Sequence, residues 1–333
     1  MINFATIGTG WITTSFIQSA QATGKYTLVS VYSRSQETAS SFAAKHNITK
    51  THTSISELAA DASIDTVYIA SPNSLHYVHA KQCLEAGKHV LLEKPATSTS
   101  KELDELFTLA REKGVFLLEA FRHLYEPNFQ LLQKTLQEEK RIGPIFGATL
   151  NYASRSSRFD NVLAGQTPNI FSLEYSGGCL VDLGVYPISA AVALFGAPLS
   201  ATYKPTMLST GVDGGGFVTL CYATFGVSIN ASKIYTSTAP SEIYGERGTV
   251  VLDGVADIGR VDVLDAKTKT VEKLAGRRVD AELNMQAEAE RFARIIGERD
   301  LEAAEWLEGV SRGVIAVTEG LRRANGIVFA AEK

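Results

Sequence analysis

Only three of the 333 residues are cysteine, and Cys83, Cys179 and Cys221 stand far apart without a Cys-x-x-Cys pair or a Cys/His ligand spacing. That usage suits a reducing compartment and no structural metal. The chain also lacks a charge excess: 32 Lys and Arg against 36 Asp and Glu leave a formal net charge of -4, so no broad basic surface is offered to nucleic acid. No uninterrupted apolar stretch approaches the roughly 20 residues that span a bilayer. Met1 runs directly into Ile2-Asn3-Phe4-Ala5-Thr6-Ile7, without the positive and apolar regions of a secretory signal. A cytoplasmic protein with neither a membrane nor a nucleic-acid partner is expected. Repeats and low-complexity tracts are missing as well.

What is present is enough apolar material, 45% of 333 residues, to bury a large core. Single cores stop growing near about 250 to 300 residues, so two domains are expected. The first half alternates short β-rich runs (Ile2–Ile7, Thr27–Tyr32, Thr66–Ala70, His89–Leu92, Val115–Glu119) with helical patterns near 12–22, 36–45, 55–60, 75–85 and 101–112. Such alternation marks a parallel sheet covered by helices on both faces. Gly24, Gly87 and Gly114 fall where helices should stop. Ser100 is the expected N-cap of the last of these helices, with Leu103, Leu106, Leu109 and Ala110 turned inward.

The pattern changes near Gly143-Pro144. From there β-rich segments follow one another: 146–153, 201–208, 217–224, 227–234, 241–244, 249–252 and 261–264, with Ser189–Phe195 helical among them. Two helical patterns, about 281–296 and 301–325, close the chain. The expected fold class is α/β, a doubly wound parallel sheet over residues 1–122 followed by an α+β domain over 123–333 with a large, mostly antiparallel open sheet. The helix at about 301–325 is a candidate to pack back on the first domain.

Gly8-Thr9-Gly10-Trp11-Ile12-Thr13 follows the first strand and opens the first helix. In that context a glycine turn presents the N–H groups around Gly8, Gly10, Trp11 and Ile12 to a pyrophosphate. The fingerprint is incomplete, because Thr13 holds the third glycine place. At the tip of the second strand, Tyr32-Ser33-Arg34-Ser35 has no acid to hold a ribose 2′-hydroxyl. Ser33 and Arg34 can instead bind a 2′-phosphate, which favours NADP over NAD, unless Arg34 is a solvated loop residue. Ser71, Pro72, Asn73 and His76 fall at the carboxyl end of the third strand, where ligands bind in open α/β sheets. Asn73 could bond the ribose or nicotinamide side of the cofactor, and His76 is either a cofactor contact or a structural hydrogen-bonder.

Glu93-Lys94-Pro95 falls at the end of Val90-Leu91-Leu92, on the same sheet edge. A lysine closing a buried strand is a candidate acid, base or electrostatic clamp, or else a solvated loop charge. Far downstream, Gly177-Gly178-Cys179-Leu180-Val181-Asp182-Leu183-Gly184-Val185-Tyr186 sets an acid four residues before a phenol, on one face if the segment is helical. A tyrosine hydroxyl can exchange the proton of a carbonyl or alcohol, and a nearby ammonium lowers its pKa toward the working range. Taken alone, Tyr186 reads as a core aromatic with its hydroxyl satisfied.

Together these segments resemble the Gfo/Idh/MocA family, and the tyrosine at 186 resembles its dimeric dihydrodiol dehydrogenase and glucose-fructose oxidoreductase branches. The resemblance implies a Rossmann domain, an open-sheet substrate domain often used for oligomer contacts, and hydride transfer at a carbon bearing a hydroxyl or carbonyl in a sugar, polyol or diol. Lys94 and Tyr186 match the family's catalytic positions and Asp182 its substrate-orienting acid, while Glu93 joins Lys94 at the cofactor. The expected protein is an NADP-dependent dehydrogenase or reductase, with Arg122 and His123 as further substrate-pocket candidates and Arg155 and Arg158 as weaker, exposed ones. A homodimer or homotetramer through the second sheet is expected. The rival is a non-catalytic NADP-binding regulator or sensor on the same fold, and a metal hydrolase is disfavoured by the missing ligand cluster.

Overall fold

The computed structural model describes residues 1–275 and 283–333. These form two compact units, one of residues 1–122 and 280–312, the other of residues 123–279 and 313–333, each as far as it is described. The chain therefore rejoins the first unit before Leu301, and only the first half of the closing helix belongs with it.

In the first unit β1 (Ile2–Ile7), α1 (Trp11–Ala22), β2 (Tyr26–Tyr32), α2 (Gln36–Lys45), β3 (Thr51–His52), α3 (Ile55–Ala60), β4 (Thr66–Ile69), α4 (His76–Glu85), β5 (His89–Glu93), α5 (Ser100–Lys113) and β6 (Leu117–Ala120) alternate. All strand pairs are parallel, in the order β3-β2-β1-β4-β5-β6. Every residue of β4 and β6 is buried, as expected of strands covered on both faces. Phe16 of α1 stacks on Tyr68 of β4 with ring centroids 3.9 Å apart. The short β3 was not legible, since two residues carry no periodicity. The order reverses between β1 and β4, and the crevice outside the carboxyl ends of such strands is where open α/β sheets bind ligands.

The N-cap of α5 is Thr99, with Ser100 as the first helical residue. Thr99 accepts the Glu102 N–H at 3.2 Å while Glu102 accepts the Thr99 N–H at 3.1 Å, and this reciprocal box outcompetes the hydroxyl one place later. Leu103, Leu106, Phe107 and Ala110 are its buried stripe, with Phe107 in the place expected of Leu109. Gly114 ends the helix in the left-handed conformation at φ 68°.

The second unit contains α6 (Pro127–Gln133), β7 (Ile145–Ala153), α7 (Phe159–Leu163), α8 (Cys179–Asp182), α9 (Val185–Phe195), β8 (Ser200–Met207), β9 (Asp213–Cys221), β10 (Gly226–Ser232), β11 (Ser241–Gly245), β12 (Gly248–Leu252), β13 (Val261–Asp265) and β14 (Val271–Ala275). Its eight strands run β14-β13-β12-β11-β7-β10-β9-β8, antiparallel except for the β7–β10 pair. α9 covers one face with an almost entirely buried surface, and its contacts include β7 and β10. The other face is open: Phe217, in register with Asn230 and Asn151, is 63% exposed. α10 (Gln286–Glu298) and α11 (Leu301–Ala324) follow, with a short 3-10 turn at Ala330–Glu332; residues 281 and 282 of the helix expected at 281–296 lie outside the described residues. No helix among the described residues is long and apolar enough to cross a membrane.

Candidate active site

The first unit assembles its polar edge from backbone. Gly8 ends β1 at φ +118°, and a Cβ there would lie 2.5 Å from the Ala70 carbonyl oxygen, so only glycine fits between the β1 turn and the end of β4. Gly10 is the N-cap of α1 and supplies no side-chain cap, and a Cβ there would meet nothing within 4 Å. Gly10 and Trp11 are exposed, and the first N–H groups of α1, at Trp11 and Ile12, have no carbonyl within the helix and lie at its positive end. Thr13 is fully buried beneath this turn, with its Oγ1 3.3 Å from where a Gly8 Cβ would stand. A threonine is thus accommodated where a third glycine was missing. A turn of this shape fits a dinucleotide pyrophosphate.

Ser33 is half-buried just beyond β2, and its N–H donates to the His52 carbonyl at 3.2 Å. Arg34 is exposed and makes no hydrogen bond or ion pair with a described residue. Ser35 is not available to a ligand in the same way, since its hydroxyl caps α2 by accepting from Thr38. No acid stands at this tip, so the residues fit a 2′-phosphate better than a 2′-hydroxyl.

Ser71, Pro72 and Asn73 are half-buried after β4, and Asn73 opens a short 3-10 turn. His76 is wedged deeper than expected, 1% exposed, with Nδ1 2.9 Å from the Pro95 carbonyl and Nε2 2.8 Å from that of Ser71. Burial outweighs both carbonyls and holds its pKa below the usual histidine value. Neutral at ordinary pH, the ring donates to only one of these carbonyls and packs between the Ser71 loop and the loop that carries Lys94. His79 sits 3.0 Å from the Ser71 hydroxyl, with its pKa pushed down to about 4 by burial.

Lys94 follows β5 half-buried, joined to Pro95 by a cis peptide. Two buried carboxyls flank it. Glu93 accepts the Tyr68 hydroxyl at 2.7 Å, and its pKa is raised by burial against the pull of Lys94, that hydrogen bond and Arg122. Glu119 of β6 accepts the Ala96 N–H at 2.8 Å, two residues beyond the lysine, and burial pushes its pKa up to about 7. Arg122 is 9% exposed and contributes its charge to this cluster. Buried acids around one lysine are the kind of perturbed group that accumulates at functional sites.

In the second unit Asp182 and Tyr186 do not share one helix. Asp182 ends α8 and Tyr186 lies in α9, with Gly184 between them packed so tightly that a Cβ would lie 2.7 Å from the Leu180 carbonyl. The half-buried Tyr186 ring has the His123 ring 5.0 Å and the Tyr152 ring 5.1 Å from its centroid. His123 is 1% exposed and meets the Ser189 hydroxyl at 3.1 Å, while that hydroxyl donates to the Tyr186 carbonyl at 3.0 Å. Asp182 Oδ2 is 2.7 Å from Lys233 Nζ. Gly178, at φ +129°, admits the Asp213 carboxylate, which would stand 2.3 Å from a Cβ there. Asp213 in turn accepts the Leu180 N–H at 2.7 Å and the Tyr203 hydroxyl at 2.6 Å, so it pins the start of α8. Arg155 and Arg158 are exposed, and Arg155 pairs with Asp160 at 2.6 Å.

Sequence reasoning missed Tyr68, Glu119, Tyr152, Ser189 and Lys233. Glu119 had a signal, a lone carboxylate inside Val115-Phe116-Leu117-Leu118-Glu119-Ala120-Phe121. Lys233 had only a weak one, as a lysine just past a strand.

Residues 2–121 match the profile described as "Oxidoreductase family, NAD-binding Rossmann fold", and residues 130–251 match the "GFO/IDH/MocA C-terminal domain". The chain is 42% identical over 333 residues, the whole of both chains, to the scyllo-inositol 2-dehydrogenase (NADP(+)) IolU of Bacillus subtilis (strain 168). It is 30% identical over 274 residues, 81% of this chain and 77% of the other, to the trans-1,2-dihydrobenzene-1,2-diol dehydrogenase of Mus musculus. A 3-ketoreductase from Actinomadura kijaniata, crystallised with NADP and TDP-benzene, has the same fold at a TM-score of 0.79 and 23% identity over 97% of each chain. A glycine turn on a parallel sheet, a lysine at its carboxyl edge, an open second sheet and two matching profiles have one explanation: the chain belongs to the GFO/IDH/MocA family of oxidoreductases.

Proposed function

We propose that the protein is an NADP-dependent dehydrogenase or reductase acting on a carbon that bears a hydroxyl or carbonyl in a sugar, polyol or diol. The observation that carries this reading is Lys94, a half-buried lysine delivered by β5 to the sheet edge that also holds the Gly8-Gly10 turn. The substrates named for the B. subtilis and mouse relatives, a cyclic polyol and a diol, support the substrate class. Gly8, Gly10 and the first N–H groups of α1 would hold the pyrophosphate, and Ser33 and Arg34 the 2′-phosphate. The nicotinamide, when bound, supplies the hydride acceptor for oxidation or the donor for reduction.

The chain's own residues hold and move the proton. In the oxidative direction the Tyr186 hydroxyl takes the substrate's hydroxyl proton, and in reduction it returns one. Lys94 is the other proton-handling candidate, and the two proton roles are chemically interchangeable. Asp182 accepts a neighbouring substrate hydroxyl and fixes which carbon reacts. Glu93, Glu119 and His76 act on Lys94 through its loop. The open face of the second sheet, with Phe217 exposed, is assigned to a homo-oligomer contact, which sedimentation at micromolar concentration reads directly. Three free cysteines fit a reducing, cytoplasmic setting.

The test is NADPH oxidation with aldoses, inososes and diketones and NADP+ reduction with diols, with Lys94→Ala and Tyr186→Phe alongside. Turnover on at least one class is expected, with kcat lowered on the order of 10²- to 10⁴-fold in either variant and NADPH affinity retained. Tight NADP binding without turnover on any class supports the regulator instead. Activity that survives both substitutions removes these two residues from the chemistry.

A further inference from the structure

We infer that Lys233 is the positioning residue for Asp182, holding the substrate-orienting carboxylate in place from within the second unit. The inference rests on the reading of Asp182 above and adds a residue to it. Lys233 follows β10, and its side chain is 1% exposed although it carries an ammonium. Burying that charge is unfavourable unless partners surround it. Three are present. Nζ lies 2.7 Å from Asp182 Oδ2, donates to the Ile170 carbonyl at 3.0 Å, and stands 4.5 Å from the centroid of the Phe171 ring. The lysine N–H donates to the Gly214 carbonyl at 2.8 Å and its carbonyl accepts the Ser156 N–H at 2.9 Å, so the backbone beneath the ammonium is fixed at both ends.

The asymmetry within the pair gives the direction of the effect. Asp182 keeps 27% of its side chain exposed, whereas Lys233 is sealed. The lysine cannot meet a substrate, and the aspartate can. One carboxylate oxygen is oriented by the buried ammonium while the side chain as a whole still reaches solvent. Asp182 also closes α8, a helix of only four residues whose first turn is pinned by Asp213 through the Leu180 N–H. So short a helix does not orient its last side chain through its own hydrogen bonds, and the ammonium supplies the missing constraint. Through Ile170 and Phe171 the same ammonium also fixes the segment after α7, packed with Val162 and Val212 in a small apolar cluster.

The experiment compares wild type, Lys233→Met, Lys233→Arg, Asp182→Asn and the Lys233→Met/Asp182→Asn double variant on the best substrate of the panel, with NADPH for a carbonyl substrate or NADP+ for an alcohol such as scyllo-inositol. If Lys233 acts through Asp182, Lys233→Met lowers kcat/KM by about a hundredfold, the scale expected when a substrate-positioning group is displaced. The double variant is then no worse than Asp182→Asn by more than about threefold, because the lysine has nothing left to position. Lys233→Arg recovers part of the loss, and NADPH affinity, a property of the first unit, stays within about twofold in all variants. Losses that multiply in the double variant, or Lys233→Met with unchanged kcat/KM in an active protein, overturn the inference and leave the proposed function standing. Should Lys233→Met fail to fold, Lys233→Arg alone and in the Asp182→Asn background decides: a partial loss that disappears in the Asp182→Asn background supports the inference, and wild-type kcat/KM or a loss that persists there overturns it. A wild type inactive on the whole panel overturns the proposed function first, and this inference with it.

Discussion

The edge of the first unit and the cluster around Asp182 and Tyr186 in the second are built on opposite plans. On the proposed reading the first recognises with backbone: Gly8 and Gly10 leave space around the start of α1, and Glu93, Glu119 and His76 are buried beneath the lysine loop. The second works with side chains from separate segments: Asp182 on Lys233, Tyr186 between His123 and Tyr152, and His123 on Ser189. A backbone site is set by a short stretch of sequence and serves a ligand of constant shape. A side-chain site draws on residues far apart and can be retuned one residue at a time, as suits substrates that differ by a hydroxyl.

That contrast breaks most visibly at Gly8. Gly8→Ala forces a Cβ against the Ala70 carbonyl from a backbone region that alanine rarely adopts, a strain of about 1 to 3 kcal/mol. It is expected to lower the melting temperature by several degrees and to abolish measurable NADPH binding; a variant that binds NADPH normally would dissolve the backbone plan. Arg34→Ala tests the one side chain this edge adds. NADPH affinity should fall about 10- to 100-fold with NADH affinity unchanged, the scale of a lost charge-assisted contact, and equal losses for both cofactors would return Arg34 to the solvated loops.

Glu119 sharpens the comparison through pH. Its folded-state pKa of about 7 lies above the ordinary 4.5, so the unfolded chain releases this proton first. The stability it contributes is fully present below the unfolded value and is lost as pH rises through the folded one. Glu119→Gln keeps an acceptor for the Ala96 N–H and removes the proton. Relative to wild type it should gain on the order of 3 kcal/mol of unfolding free energy between pH 5 and pH 8 in denaturant titrations. An identical difference at both pH values would mean that the carboxyl is not held neutral. The smallest effect belongs to Thr99→Ala, which removes one side of the α5 capping box for about 1 kcal/mol and should leave kcat/KM unchanged.

How much of this was legible follows the same division. The parallel sheet, the glycine turn and the placement of Lys94 at the sheet edge could be read because each is encoded within a few adjacent residues with a fixed period or a fixed turn. Thr99 displaced Ser100 as a cap because Glu102 completes the box at only one register. β3, α6 and β14 went unread, being too short or too polar to carry a period. The four-residue spacing of Asp182 and Tyr186 suggested one helix face, yet Gly184 separates two helices instead.

The sequence by itself determined the alternation of strands and helices, the switch to an antiparallel sheet and the chemistry available at Gly8, Arg34, Lys94, Asp182 and Tyr186. Local hydrogen bonding and side-chain periodicity act over a handful of residues, so these are written along the chain. Only the tertiary structure decided that Lys233 is sealed against Asp182, 51 residues away in sequence, and that Glu119 lies under the lysine loop. Burial of a charge is a property of everything packed around it, and no short stretch of sequence contains its own surroundings.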